Sequence, residues 1–191
     1  MSLLLETIHA AEGKILHVNY HQARLEYSLK QLGLRVRHNL LTLLHPPVKG
    51  VYRCRVVYDE QTCTVEYLPY VPKKIKTLKV IEAPILNYGL KYADRSALDA
   101  LFQLRGHCDD IAIIQNGFLS DTTIANIALF DGKQWCTPTS PLLHGTTRQR
   151  LLDTKKIIEK PIPLSSIERY QKSAVFNAMM GFVELEDGII F

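Results

Sequence analysis

Two dipeptides fifteen residues apart, Asn116-Gly117 and Asp131-Gly132, constrain this chain more than any other feature of it. Each is of the kind that lets the centre of a two-residue turn take positive φ, and each is flanked by apolar runs of strand length, so each predicts a β-hairpin. The first hairpin pairs Asp110–Gln115 with a strand from Phe118 onward; the second pairs Ile124–Phe130 with Lys133–Thr137. A third is predicted from Gly50–Tyr58 and Thr62–Tyr70 around Asp59-Glu60-Gln61. Opposed residues in that pair sum to about 120, which sets Cys54 opposite a residue near Glu66 rather than opposite Cys63. With Cys108 and Cys136 these are four cysteines lacking any C-x-x-C spacing, so free thiols are expected and a zinc cage is not.

The rest of the chain mixes strands with helices. Leu3–Ile8, Ile15–Val18, Thr77–Ile81 and Ala174–Leu185 read as strands. Asn19 can cap a helix from Tyr20 to Leu32, stopped by Gly33. Further helices are expected over Val36–Leu44, Asp94–Leu104 and Thr147–Asp153, with a short one from Ser165-Ser166. Many hairpins and few βαβ units make an α+β fold. Pro69-Tyr70-Val71-Pro72-Lys73-Lys74 is the most linker-like stretch, which divides the chain into lobes of residues 1–76 and 77–191.

Composition excludes several function classes. At 47% apolar and 22% charged residues over 191 positions, the chain can bury a real core without staples. Its net charge of +4 is spread out, except for Lys73, Lys74, Lys76 and Lys79 in the Pro-flanked connector. That cluster reads as a solvated linker, so no nucleic-acid partner is expected, although a mild positive field suits anionic ligands. No apolar run approaches the roughly 20 residues that span a bilayer, and Met1–Ala11 lacks the basic start and apolar core of a signal peptide. A cytoplasmic protein without membrane attachment is the expectation. No G-x-S-x-G, H-E-x-x-H, Walker or G-x-G-x-x-G pattern occurs, and no metal site is expected.

Five segments carry residues with chemistry, each with an ordinary alternative when taken singly. Lys91, in Leu90-Lys91-Tyr92-Ala93-Asp94-Arg95, follows Asn87-Tyr88-Gly89 between a strand and a helix. A lysine so placed is either a surface side chain or a Schiff-base nucleophile. Asp121, in Ser120-Asp121-Thr122-Thr123, closes a strand and offers a carboxylate to a ring nitrogen. Gly145-Thr146-Thr147-Arg148 opens a helix whose first N–H groups form an anion site, or is a plain Thr cap. Arg24, in His21-Gln22-Ala23-Arg24-Leu25, has the fork that grips phosphate. Asn177, in Phe176-Asn177-Ala178-Met179-Met180, is a polar residue in an apolar run and needs a partner.

In this order the five segments resemble the class-IV pyridoxal-phosphate (PLP) family, which includes branched-chain aminotransferase, D-amino-acid aminotransferase and 4-amino-4-deoxychorismate lyase. The resemblance runs from about Leu4 to Val183 and includes Leu5-Glu6-Thr7-Ile8 as the family's early strand. It implies a two-lobed D-amino-acid-aminotransferase-like fold with PLP as cofactor, Lys91 as its Schiff-base lysine, and a homodimer acting on a small amino substrate. Arg24, the Thr146 and Thr147 amides, and Asn177 with Ala178 would bind the phosphate. Asp121 stands where the family has its pyridine-contacting Glu, one methylene longer. Lys91-Tyr92-Ala93-Asp94-Arg95 and Asn177-Ala178-Met179-Met180 are similar to the lyase's Lys-His-x-Asn-Arg and Asn-Ala-Leu-Met, and Ser96 replaces the Tyr of branched-chain enzymes. The first implied activity is therefore the lyase, converting 4-amino-4-deoxychorismate to 4-aminobenzoate and pyruvate in folate biosynthesis. Amino-group transfer to a 2-oxo acid is the second, and PLP binding without turnover the third. Arg53 and Arg55 alternate onto one strand face, where either can take a substrate carboxylate.

Overall fold

The computed structural model describes residues 3–191, and its chain contacts divide it into two compact units. The first runs up to Pro72 and also takes Leu90–Asp94; the second is Lys73–Gly89 with Arg95–Phe191. Lys91, expected in the second lobe, therefore belongs by its contacts to the first unit. Met1 and Ser2 of the expected first lobe lie outside the described residues.

The first unit begins with β1 (Leu4–Ala11), β2 (Lys14–Ile15), α1 (Val18–Gln31) and α2 (Leu40–Leu43), and ends with β3 (Val51–Tyr58) and β4 (Cys63–Pro69). The strands form one antiparallel sheet in the order β2-β1-β3-β4. Strict alternation sends Leu4, Ile8 and Ala10 of β1, and Cys54, Val56 and Tyr58 of β3, to one face. Helix α1 covers that face with His21, Leu25, Ser28 and Leu29, spaced as one helical stripe. Cys54 opposes Tyr67, one position from the expected Glu66, and all four cysteines are free thiols.

Two helix expectations need correction. Helix α1 starts from His17, with φ 54° and no side-chain cap, so Asn19 lies inside its first turn. The cause is the Leu16 N–H bond to His9 O at 2.9 Å, which holds the chain against β1 until the reversal falls on His17. The helix expected over Val36–Leu44 shrinks to the single turn α2, capped by the Asn39 side chain on Leu41 N at 3.0 Å. Gln22 accounts for the loss. Its amide donates to His38 O at 3.1 Å and accepts from Leu40 N at 2.8 Å, which clamps the preceding backbone in an extended form.

The segment Leu90–Asp94 extends the sheet at the edge of β1 that β2 leaves uncovered. Leu5 N donates to Lys91 O at 3.0 Å, Ala93 N donates to Leu3 O at 2.8 Å, and Leu4 bridges Tyr92.

The second unit opens with β5 (Thr77–Glu82), α3 (Ser96–Phe102), β6 (Asp110–Gln115), β7 (Phe118–Leu119), β8 (Asn126–Phe130) and β9 (Trp135–Pro138). It continues with α4 (Thr146–Asp153), β10 (Ile158–Lys160), β11 (Lys172–Asn177), β12 (Gly181–Glu184) and β13 (Gly188–Ile190). The strands make two sheets, β13-β5-β6-β7 and β10-β9-β8-β11-β12. Their facing residues, Leu78, Ala112 and Ile114 against Ile127, Leu129 and Val175, form the core. β5-α3-β6 and β9-α4-β10 are parallel crossovers, β13 also pairs parallel with β5, and the remaining pairings are antiparallel. Asn116 and Gly117 take φ of 52° and 78°, as the predicted turn between β6 and β7 requires. The single strand expected over Ala174–Leu185 is instead a hairpin. Asn177 Oδ1 accepts from Met179 N at 2.9 Å and Met180 N at 3.0 Å, folding the chain back at that point.

Leu25 has no exposed surface and sits at the centre of the first unit's core. Leu25→Ala is expected to lower the unfolding free energy by about 2–5 kcal/mol, read from urea unfolding followed by circular dichroism. A loss under about 1 kcal/mol would contradict this packing.

Candidate active site

In the first unit a carboxylate lies among apolar side chains. Glu6 shares its strand face with Leu4 and Ile8 and is fully buried. His21 and Arg24, three residues apart and so on one face of α1, both reach it. Arg24 donates to it through Nε at 2.7 Å and Nη2 at 2.5 Å, and His21 Nδ1 lies 2.6 Å from Oε2. Burial alone would raise the Glu6 pKa, but the Arg24 charge and the hydrogen bonds from His21 and Arg24 outweigh it and bring it down to about 2. Burial also pushes the His21 pKa down. The Glu6 carboxylate opposes this shift, while the charges of Arg24 and Lys91 add to it. His21 is therefore a neutral ring that donates through Nδ1 to an ionised Glu6.

Lys91 borders this cluster, and its backbone is unusual. Its φ is 54°, in the left-handed region that costs a side-chain-bearing residue about 1–2 kcal/mol. The other non-glycine residues of positive φ, Glu12, His17, Asn116 and Lys155, sit at hairpin turns or next to helix ends. Lys91 instead sits in a stretch paired with β1, which imposes the conformation.

Arg53 and Arg55 lie on the opposite face of the same sheet. Arg55 Nη1 pairs with Glu66 Oε2 at 3.0 Å across β3 and β4. Arg53 stands beside His9 of β1 and Leu68 of β4.

In the second unit three predicted segments are tied together by hydrogen bonds. Asp121 is buried and accepts from Asn126 Nδ2 at 2.8 Å and from Leu143 N at 2.9 Å. Asn126 Nδ2 also donates to Leu143 O at 2.8 Å. Asn177 Nδ2 donates to Ile124 O at 3.1 Å, which joins the β11–β12 turn, with half-buried Ala178 in it, to the Asp121 loop. Within that loop Thr122 Oγ1 accepts from Ala125 N at 2.9 Å, and Thr123 Oγ1 donates to Asp110 Oδ1 at 2.7 Å. Burial drives the Asp121 pKa up. The Asn126 and Leu143 hydrogen bonds and the Arg148 charge offset this only partly, leaving it at about 6.

Gly145 caps α4 with its backbone, without a side-chain cap, and no acidic residue occupies the first turn. A Cβ at Gly145 would meet Asn126 Oδ1 at 2.1 Å, so only glycine lets the helix start this close to the Asp121–Asn126 pair. Thr146 and Thr147 are buried in that first turn, whose N–H groups and dipole favour an anion. Arg148 follows, buried, with Nη2 on Pro138 O at 2.9 Å and Glu159 Oε1 at 2.5 Å.

Lys91 and Arg24 thus gather in the first unit around Glu6 and His21; Asp121, Thr146, Thr147, Asn177 and Ala178 gather in the second. Glu6 and Asn126 are the residues that sequence reasoning passed over. A Glu alternating with Leu4 and Ile8 on a buried strand face demands a cation, and His21-x-x-Arg24 on one helix face is the signal that supplies it.

Two substitutions test the second unit. Gly145→Ala is expected to cost about 1–3 kcal/mol by overpacking against Asn126, seen as a lower melting temperature; an unchanged melt would mean that Asn126 moves aside freely. Asp121 has a folded pKa near 6, above its unfolded value, so its stabilising contribution is full below about pH 4 and is lost as pH rises through 6. Asp121→Asn should therefore gain on wild type by up to about 3 kcal/mol between pH 4 and 7. A pH-independent difference between the two melting curves would contradict the raised pKa.

Comparison with known proteins identifies the family. The family model for amino-transferase class IV matches residues 74–186. An uncharacterized protein of Haemophilus influenzae is 37% identical over 185 residues, covering 93% of this chain and 98% of its own. The crystal structure of a "putative 4-amino-4-deoxychorismate lyase" from Haemophilus somnus 129pt is 33% identical with a TM-score of 0.87, covering 95% of this chain and 98% of that one. The PLP-bound form of a hypothetical aminotransferase from Mycobacterium tuberculosis shares the fold alone, at 14% identity and a TM-score of 0.79 over 98% of this chain and 81% of its own. With its mixed helix-and-sheet fold, its matched segments and these relatives, the chain belongs to the class IV aminotransferases, a family of enzymes.

Proposed function

We propose that this chain is a PLP-dependent lyase that converts 4-amino-4-deoxychorismate to 4-aminobenzoate and pyruvate, with Lys91 linking the cofactor. The observation that carries the PLP reading is Lys91 itself, a lysine held in left-handed backbone by pairing with Leu5, the neighbour in β1 of the Glu6 that holds the Arg24 guanidinium. The residues present fit the group. The first unit offers a primary amine and an arginine held by Glu6, and the second a helix start without acidic residues and a buried carboxylate able to accept from a ring N–H, each suited to one part of an aldehyde-bearing pyridine phosphate. The lyase reading is supported by the Lys91–Arg95 and Asn177–Met180 segments and by the 33% identical Haemophilus somnus relative that carries the lyase name.

When bound, PLP supplies an aldehyde that links to amines and a ring that accepts electrons as a bond at the substrate breaks. Arg24, the Thr146 and Thr147 amides, and the Asn177–Ala178 turn would hold its phosphate, and Asp121 would accept from its ring N–H. Lys91 Nζ would serve as base and then acid, taking the proton released as the substrate ring becomes aromatic and returning it to the departing three-carbon fragment. Arg53 or Arg55, both on the sheet face opposite Glu6, would take a substrate carboxylate, Arg55 being also paired with the exposed Glu66. A second copy of this chain is the proposed partner and the cytoplasm the proposed location.

An aminotransferase would use the same residues but require a 2-oxo acid, and the assay separates the two. Borohydride reduction of the PLP-treated protein should leave the cofactor's mass on the peptide containing Lys91, and Lys91→Ala should lack both that mass and the long-wavelength absorption band. With 4-amino-4-deoxychorismate and no 2-oxo acid, wild type should form 4-aminobenzoate and pyruvate in equal amounts. Lys91→Ala should be slower by about 10²–10⁴-fold or more. Turnover only with an amino acid plus a 2-oxo acid would replace the lyase by the aminotransferase. Cofactor attachment without either reaction would leave a PLP-binding protein.

A further inference from the structure

We propose that Glu6 is a positioning residue, whose buried carboxylate fixes the Arg24 guanidinium as a pre-set phosphate grip on the strand that also holds the Lys91 backbone. The proposal rests on the reading of Arg24 as a phosphate contact given above.

The placement is economical in sequence. Glu6 follows Leu5, whose N–H holds Lys91 O at 3.0 Å, so adjacent residues of β1 control the lysine through the backbone and the arginine through a side chain. Stability does not explain the arrangement. A buried ion pair replaced by apolar residues of similar volume commonly leaves a protein as stable or more so, and the neighbours Leu4 and Ile8 provide a site for such a residue. What the carboxylate adds is geometry. A guanidinium is a rigid planar fork, so fixing Nε at 2.7 Å and Nη2 at 2.5 Å also fixes the directions of its remaining N–H groups. A long side chain ordered in advance does not lose that freedom again when phosphate arrives. His21 Nδ1, 2.6 Å from the same Oε2 that Arg24 Nη2 meets, adds a third hold on the carboxylate.

Glu6 also has an electrostatic effect of opposite sign, and this makes the proposal testable. A negative charge beside Arg24 weakens the attraction for an anion. Glu6→Gln therefore tightens phosphate binding if only the field matters, and loosens it if positioning matters. The readout is the affinity of the cofactor-free protein for PLP divided by its affinity for pyridoxal, which lacks the phosphate. It is measured by fluorescence titration for wild type, Glu6→Gln and Arg24→Lys.

The expected result is that Glu6→Gln lowers this ratio by about three- to tenfold, the cost of re-ordering one long side chain. A ratio that is unchanged or raised overturns the proposal. A wild-type protein without preference for PLP, or an Arg24→Lys variant that keeps the whole preference, instead defeats the reading of Arg24 and removes the basis of the proposal with it. Should Glu6→Gln fail to fold, nuclear magnetic resonance of the wild-type protein decides. Inorganic phosphate, at concentrations that compete with PLP, should shift the His21 ring signals through the shared Glu6 carboxylate. No shift overturns the proposal.

Discussion

Glu6 imposes a requirement that much of the first unit answers. A carboxylate on the apolar face of a sheet is tolerable only with a cation and further donors in reach. Meeting that need dictates which face α1 presents and why His21 and Arg24 stand three residues apart on it. It also fixes the register of α1 against β1, since Leu25 and Leu29 then fall onto Leu4, Ile8 and the β3 side chains. Polar and apolar contacts are thus parts of one solution, and the arginine that a phosphate would need comes with it.

Two buried carboxylates in this chain have their pKa values moved in opposite directions, and the difference lies in the donors. Glu6 faces a full positive charge at hydrogen-bond distance and stays ionised to about pH 2. Asp121 faces an amide and a backbone N–H, with only the more indirect field of Arg148, and burial wins. A carboxylate poised near pH 6 shares or accepts a proton readily, whereas one held near 2 serves as a fixed charge. The difference in donors thus keeps one carboxylate as a fixed charge and leaves the other near its titration point.

Much of this was legible in the sequence because it follows from short-range rules. The Asn116-Gly117 turn, the β3–β4 hairpin and the α4 start are set by local period and turn chemistry. The failures have long-range causes. Gln22 reaches across sixteen residues to strip a helix down to α2, and a hydrogen bond to His9 moves the start of α1 from Asn19 to His17. At the candidate site the residue types were readable but their engagement was not. Periodicity gave no sign that Arg55 would be spent on Glu66, that Asn126 would brace Asp121, or that Asn177 would turn the chain. Glu6 was passed over because a charged residue in a strand pattern is usually taken as solvent-facing, although its neighbours Leu4 and Ile8 point inward.

The first unit is not continuous in sequence, because its sheet is completed at the Leu4–Leu5 edge by residues that come after β5. During synthesis, β1 through β4 can pair as soon as they leave the ribosome, yet one edge of β1 keeps unpaired N–H and C=O groups until Lys91 and Ala93 arrive. An open strand edge invites pairing with other chains. The stretch that carries the proposed nucleophile therefore also serves as the clasp that closes this edge, and a chain cut near Pro72 would retain every hydrophobic contact of the β1–β4 sheet with α1 while leaving that edge adhesive.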